Sequence, residues 1–244
     1  MDATRRIWVA LDAEKPRALE VVEAVEGHPA VLGFKANSLV DEEVFRDDGQ
    51  IKLFDRLLES GLPIWVDLKF HDVPRTIGRR MRPYVEAGVG FVTVMAKGGI
   101  PMMMDAVEAG GTGTFVIAVT ELTSLSEEEV HLGSGHPAKA SVINLAGNAV
   151  HAGVEYLVCS GQELQVLGKQ RHLQNLSMFV PAVKPKWSLA AGADQSRVVT
   201  PEQVFKGGGS AAVMGSAIMG ADDPFEAVDM TAKEIEAIEE DDED

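Results

Sequence analysis

At 244 residues with 45% hydrophobic content, the chain is long enough to bury a large core and suits a single α/β barrel. A net charge of −16 excludes general nucleic-acid binding, which needs a basic footprint. No run of 18 apolar residues appears, the Met-Asp-Ala-Thr-Arg-Arg start lacks an apolar signal region, and Cys159 is the sole cysteine, so a cytoplasmic protein with no membrane association is expected.

In chain order the first strand is predicted over 6–11, leading to Ala10-Leu-Asp12, and the second over 30–35, where Val-Leu-Gly-Phe runs into Lys35. The third, over 63–69, carries Ile-Trp-Val into Asp67-Leu-Lys69, with Asp72 just beyond it. Side chains alternate along a strand, so Asp67 and Lys69 are expected on one side, and paired titrating groups of this kind often mark a site. A strand-end salt bridge is the plainer reading of those charges.

The fourth and fifth strands are predicted over 90–95 and 114–119, separated by Gly98-Gly99, a Met102-Met-Met104 core stretch and a Gly110-Gly-Thr-Gly113 connection. Strands over 154–159, 177–181 and 210–215 complete eight, most of them continuous apolar runs suited to a parallel sheet buried on both faces. Ser160-Gly-Gln-Glu163, Thr200-Pro-Glu-Gln203 and Asp223-Pro-Phe-Glu226 read as helix-capping signals, and Gly207-Gly-Gly209 as a helix end. The last helix presents Phe225, Val228, Ala232 and Ile235 on one face and is expected to break up in the acidic run that follows. Residues 234–244 hold eight acids and no base, which predicts a barrel domain over 1–232 and a solvated tail over 233–244.

Eight strand–helix units with no internal linker predict a (β/α)8 barrel, an α/β fold, as one domain; a doubly wound open sheet is the runner-up. In a barrel the chemistry sits at the C-terminal strand ends. Asp12, Lys35, Asp67, Lys69, Thr120 and Thr123 all fall at or just past such ends.

Those segments resemble the orotidine 5′-phosphate decarboxylase family from about residue 6 to 230. The match rests on Asp67-Leu-Lys-Phe-His-Asp-Val-Pro-Arg-Thr76, which is close to the family's signature. Ala10-Leu-Asp12, Lys35, Gly98-Gly99, Ala118-Val-Thr-Glu-Leu-Thr-Ser124 and Asp194-Gln-Ser-Arg-Val-Val-Thr-Pro201 support it. The resemblance implies cofactor-free and metal-free decarboxylation of a nucleotide, orotidine monophosphate, to uridine monophosphate. It also implies a homodimer with shared sites, Lys35, Asp67 and Lys69 coming from one subunit and Asp72 with Thr76 from the other. Asp12 would then take a ribose hydroxyl, Thr123 the pyrimidine edge, and Gln195, Gly215 and Ser216 the phosphate.

Departures from the family pattern cluster on phosphate recognition. Gly215-Ser216 stands where the family has Gly-Arg, and an arginine fork is not conservatively replaced by serine. Val180-Pro-Ala-Val-Lys-Pro185 replaces Thr-Pro-Gly-Ile-Arg-Pro, and Met95-Ala-Lys97 replaces His-Ala-Ser. Lys97, Lys184 and Lys186 are the candidates to restore the lost charge. The histidines, His71 included, lack metal-ligand spacing, and Arg79-Arg80-Met-Arg82 reads as a solvated helix face. Two alternatives remain: a sugar-phosphate enzyme of the same superfamily, which would need magnesium, and a non-catalytic nucleotide-binding barrel.

Overall fold

The computed structural model describes residues 5–45, 52–189 and 199–243. Its first half contains β1 (Ile7–Ala10), α1 (Lys15–Val25), β2 (Val31–Ala36), α2 (Ser38–Phe45), α3 (Leu53–Glu59), β3 (Ile64–Phe70), α4 (Pro74–Glu86), β4 (Phe91–Met95), α5 (Ile100–Gly110) and β5 (Phe115–Val119). There follow α6 (Glu127–Ser134), α7 (Ala138–His151), β6 (Tyr156–Val158), α8 (Leu164–Gly168), β7 (Ser177–Val180), α9 (Pro201–Lys206), β8 (Ala211–Met214), α10 (Ser216–Met219) and α11 (Pro224–Glu243). The strands are parallel and close into a barrel in chain order, β1 to β8, with helices between them. This is the (β/α)8 fold expected from the apolar runs, and each predicted strand lies within two residues of an observed one at either end, β6 being the most trimmed.

Packing divides the chain into two compact units, one of residues 1–67, 182–206 and 210–244, the other of 68–181 and 207–209. In the first, β1 lies between β2 and β8, pairing Trp8 with both Gly33 and Val213. Trp8 and Trp65 meet edge to face at 5.4 Å, both almost wholly buried. Gly33 makes that packing feasible, because a Cβ there would lie 2.3 Å from the Pro63 carbonyl oxygen and 2.6 Å from the Trp8 ring. Gly33→Ala is therefore expected to cost about 3 kcal/mol or more in stability, since backbone on one side and indole on the other leave no room to relax. Urea unfolding of the variant checks this; a midpoint unchanged from wild type would contradict it.

The second unit packs aromatic rings on successive strands: Phe91 meets Tyr156 at 5.1 Å and Phe115 at 5.5 Å, and Tyr156 meets Phe179 at 5.6 Å. Ile77 and Met81 of α4 and Met102, Met103 and Ala106 of α5 are fully buried, so most of the methionine triplet is core; Met104 is exposed.

Capping follows the sequence at Thr200 and Asp223. Thr200 Oγ1 accepts from the Gln203 N–H while the Thr200 N–H donates to Gln203, and Asp223 accepts from the Glu226 N–H. At Ser160 the reading needs adjustment: its N–H donates to Glu163 at 2.8 Å, but within a turn, and α8 begins only at Leu164. The last helix also departs from expectation. α11 runs through the acidic stretch to Glu243 instead of breaking, and Ile235 and Ile238 are buried beyond the predicted boundary at 232. Glutamate is a good helix former, and Ile235 and Ile238 extend the apolar face of Val228 and Ala232 at helical spacing. Phe225 does not share that face: it is half exposed and stands edge-on to His28 at 4.9 Å.

Candidate active site

Within the first unit, three strand ends bring together Asp12, Lys35 and Asp67. Lys35 lies in β2, one residue before its end, and is 7% exposed; Asp67 lies inside β3 and is 6% exposed. The Lys35 ammonium is 3.2 Å from Asp67 Oδ2 and 3.4 Å from Asp12 Oδ1. Asp12 itself is exposed, so the array runs from a buried carboxylate through a buried ammonium to an open one. Gly215 follows β8 beside it, where a Cβ would stand 3.4 Å from Asp12 Oδ2. Ser216 opens α10 and is exposed. Gln195, with Asp194 and Arg197, lies outside the described residues.

The three lysines proposed to replace the absent arginine differ in their commitments. Lys186 Nζ is 2.7 Å from Glu202, which also holds Lys206 at 3.3 Å. Lys97, in the second unit, is 2.6 Å from the buried Glu121. Lys184 is half-buried, and no carboxylate among the described residues holds its ammonium. Its segment is shaped by Ala182, a non-glycine residue in the left-handed region at φ 59°, where the family pattern has glycine.

In the second unit, Lys69 stands at the end of β3 with φ 49°. Strand alternation therefore does not hold at Lys69, and the expectation that parity alone places it beside Asp67 loses its basis. A bulky residue held in the left-handed region is strained by about 1–2 kcal/mol, and such outliers gather at functional positions. Asp72, in the turn before α4, accepts from the Val73 N–H at 2.8 Å and faces Arg80 at 3.9 Å. The Arg80 guanidinium also lies over the Phe70 ring at 4.2 Å, so part of the arginine cluster read as a solvated face serves to hold Asp72. Thr76 lies in the first turn of α4, its N–H donating to the Val73 carbonyl, and Thr123 is exposed between β5 and α6. His71 is exposed beside Gly98.

Two acids that the sequence reading gave no place in a site are buried or half-buried here. Glu121, just past β5, is 3% exposed; it accepts from the Ser141 hydroxyl at 2.6 Å and pairs with Lys97. Glu163 is pushed up to about 7, mainly by burial, with the Glu121 charge adding to it. An acid inside the apolar run Ala118-Val-Thr-Glu-Leu122 was the available signal for Glu121; Glu163 was marked only as the capping partner of Ser160, with no sign of its burial. Because the folded state raises Glu163 from 4.5 to about 7, the native chain binds more protons than the unfolded one across that window. Its contribution to stability accordingly falls as pH rises from about 4.5 through 7. Glu163→Gln should flatten that part of the stability–pH curve, as followed by urea midpoints; an unaltered slope would count against the assignment.

A closed parallel barrel with buried charges at the C-terminal strand ends defines a (β/α)8 protein of the enzyme type. A family model described as orotidine 5′-phosphate decarboxylase / HUMPS matches residues 5–231. The chain belongs to that family. Proteins named orotidine 5′-phosphate decarboxylase include one from Erythrobacter litoralis, 42% identical over 236 residues (95% of this chain, 97% of the relative), and one from Methylacidiphilum infernorum, 35% identical over 233 residues (94% and 97%). Among solved structures, orotidine 5′-phosphate decarboxylase from Lactobacillus acidophilus superposes with a TM-score of 0.74 at 26% identity, covering 95% of this chain and 99% of that one.

Proposed function

We propose that the chain decarboxylates orotidine 5′-phosphate to uridine 5′-phosphate, the last step of uridine monophosphate synthesis, with no cofactor or metal. The observation that carries this reading is the Lys35–Asp67 pair, buried at 3.2 Å. Two desolvated charges add little net stability, so their placement at a strand end is better explained by chemistry. The names of the full-length relatives support the choice of substrate over the sugar-phosphate branch of the family.

In this mechanism the bond from pyrimidine C6 to the carboxylate breaks, CO2 leaves, and the electron pair stays on C6. Asp67, paired with Lys35, crowds the substrate carboxylate, and that repulsion is relieved as CO2 departs. Lys69 stabilises the carbanion and gives C6 its proton, then recovers one from solvent. A fixed array of charges needs no reorganisation during the reaction, which is where its catalytic value lies. Asp12 takes a ribose hydroxyl and Thr123 the pyrimidine edge. Lys184, with Gln195, Gly215 and Ser216, receives the phosphate. The site is completed in a homodimer, where Asp72 and Thr76 of one subunit serve the other, and the enzyme works in the cytoplasm.

Loss of orotate absorbance when purified protein meets orotidine monophosphate in EDTA tests the reading. Metal-independent turnover supports it. Tight uridine monophosphate binding without turnover would move the protein to a binding role, and activity only on a sugar phosphate with magnesium would move it to the other branch.

A further inference from the structure

The segment after β7 is fastened to α11 by two side-chain hydrogen bonds. Val183 bridges to Val199, and the Lys184 N–H donates to the Val199 carbonyl at 2.9 Å. Two residues on, the Lys186 N–H donates to Glu234 Oε2 of α11 at 3.0 Å. The Trp187 indole N–H donates to Thr231 Oγ1 at 3.2 Å. Thr231 is fully buried and gives its own hydroxyl proton to the Ala227 carbonyl at 2.8 Å, so its oxygen is oriented as an acceptor for the indole. Residues 186–188 form a single 3-10 turn closed by Ser188 onto the Pro185 carbonyl. Glu202 neutralises Lys186 from the other side. The result is a short braced strut in which no carboxylate among the described residues holds the Lys184 ammonium.

We infer that this strut sets the direction of Lys184, making Trp187, Thr231 and Glu234 positioning residues for the substrate's phosphate. The inference rests on the proposed function, and it assigns a task to α11 that the barrel itself does not require. A flexible lysine is a poor substitute for an arginine fork unless its backbone is held, because the four-carbon stem carries high rotamer entropy. Bonds from α11 fix the backbone on the C-terminal side of Lys184, and the Val199 bridge fixes it on the other. Glu234 is pushed up by burial, against the Lys186 backbone N–H and ammonium, which pull it the other way.

Trp187→Phe removes the indole donor while keeping an aromatic ring on a half-exposed surface, and Thr231→Val removes the acceptor at nearly constant volume. The full-length dimeric protein would be assayed with orotidine monophosphate and with orotidine, which lacks the phosphate. Each variant should raise KM for the phosphorylated substrate roughly three- to tenfold, the scale of one hydrogen bond, and leave orotidine turnover unchanged. In a Lys184→Ala background the same changes should add almost nothing, because no charge remains to be aimed. Equal losses on both substrates, or full additivity with Lys184→Ala, would overturn the inference while leaving the decarboxylase reading intact. A wild type that does not turn over orotidine monophosphate would remove both.

Discussion

Lys69→Ala should leave a folded protein whose kcat/KM on orotidine monophosphate is lower by at least about 10⁴-fold, the combined scale of proton donation and charge stabilisation. In the proposed mechanism both roles fall on one ammonium, which would face the developing carbanion and give C6 its proton. Among the described residues, Lys35 is engaged by Asp12 and Asp67, and Lys97 by Glu121, so neither ammonium is spare. The fold should tolerate the change, because Lys69 is only half-buried at the end of β3 and alanine removes no core packing. Circular dichroism and the urea midpoint would report the fold, and the orotate absorbance assay the activity. Turnover within tenfold of wild type would exclude Lys69 as the proton donor and end the proposed mechanism.

The backbone of the barrel was legible because burial on two faces demands continuous apolar strands, and Val31–Ala36, Phe91–Met95 and Phe115–Val119 have little else in them. The charges that interrupt those runs were legible for the same reason. An ion such as Lys35 inside β2 is too costly to be incidental, and the Asp67 pairing explains it. What stayed hidden depends on distance in sequence. Glu121 meets Lys97 and Ser141 across gaps of more than twenty and about twenty residues, and the strut joins 186–187 to 231–234. Neither link leaves a periodic mark. The left-handed backbone at Lys69 was hidden differently, since a lysine carries no sign of the conformation a glycine would advertise. The helical course of the acidic run was missed because its charge was weighed before its two buried isoleucines.

Lys35→Met tests whether the buried pair serves stability or chemistry, since the two roles make opposite demands on a double variant. Methionine matches the lysine stem in length but removes the cation 3.2 Å from Asp67. Taking one partner from a buried pair leaves a carboxylate poorly solvated, and the single change should cost about 3 kcal/mol in stability, read as a lower urea midpoint at constant slope. Replacing both charges, as Lys35→Met with Asp67→Leu, removes the desolvated ions together and should return stability to within about 1 kcal/mol of wild type. Activity should follow the other course. The single variant is expected to lose at least about 10³-fold in kcat/KM, and the double variant should recover none of it, because the charge array that crowds the substrate carboxylate is gone. A double variant that regained both stability and turnover would make the pair a structural salt bridge. One that regained neither would show that the apolar replacement does not pack at this strand end, and Lys35→Gln with Asp67→Asn, which keeps the shape and a hydrogen bond, would then separate the two roles.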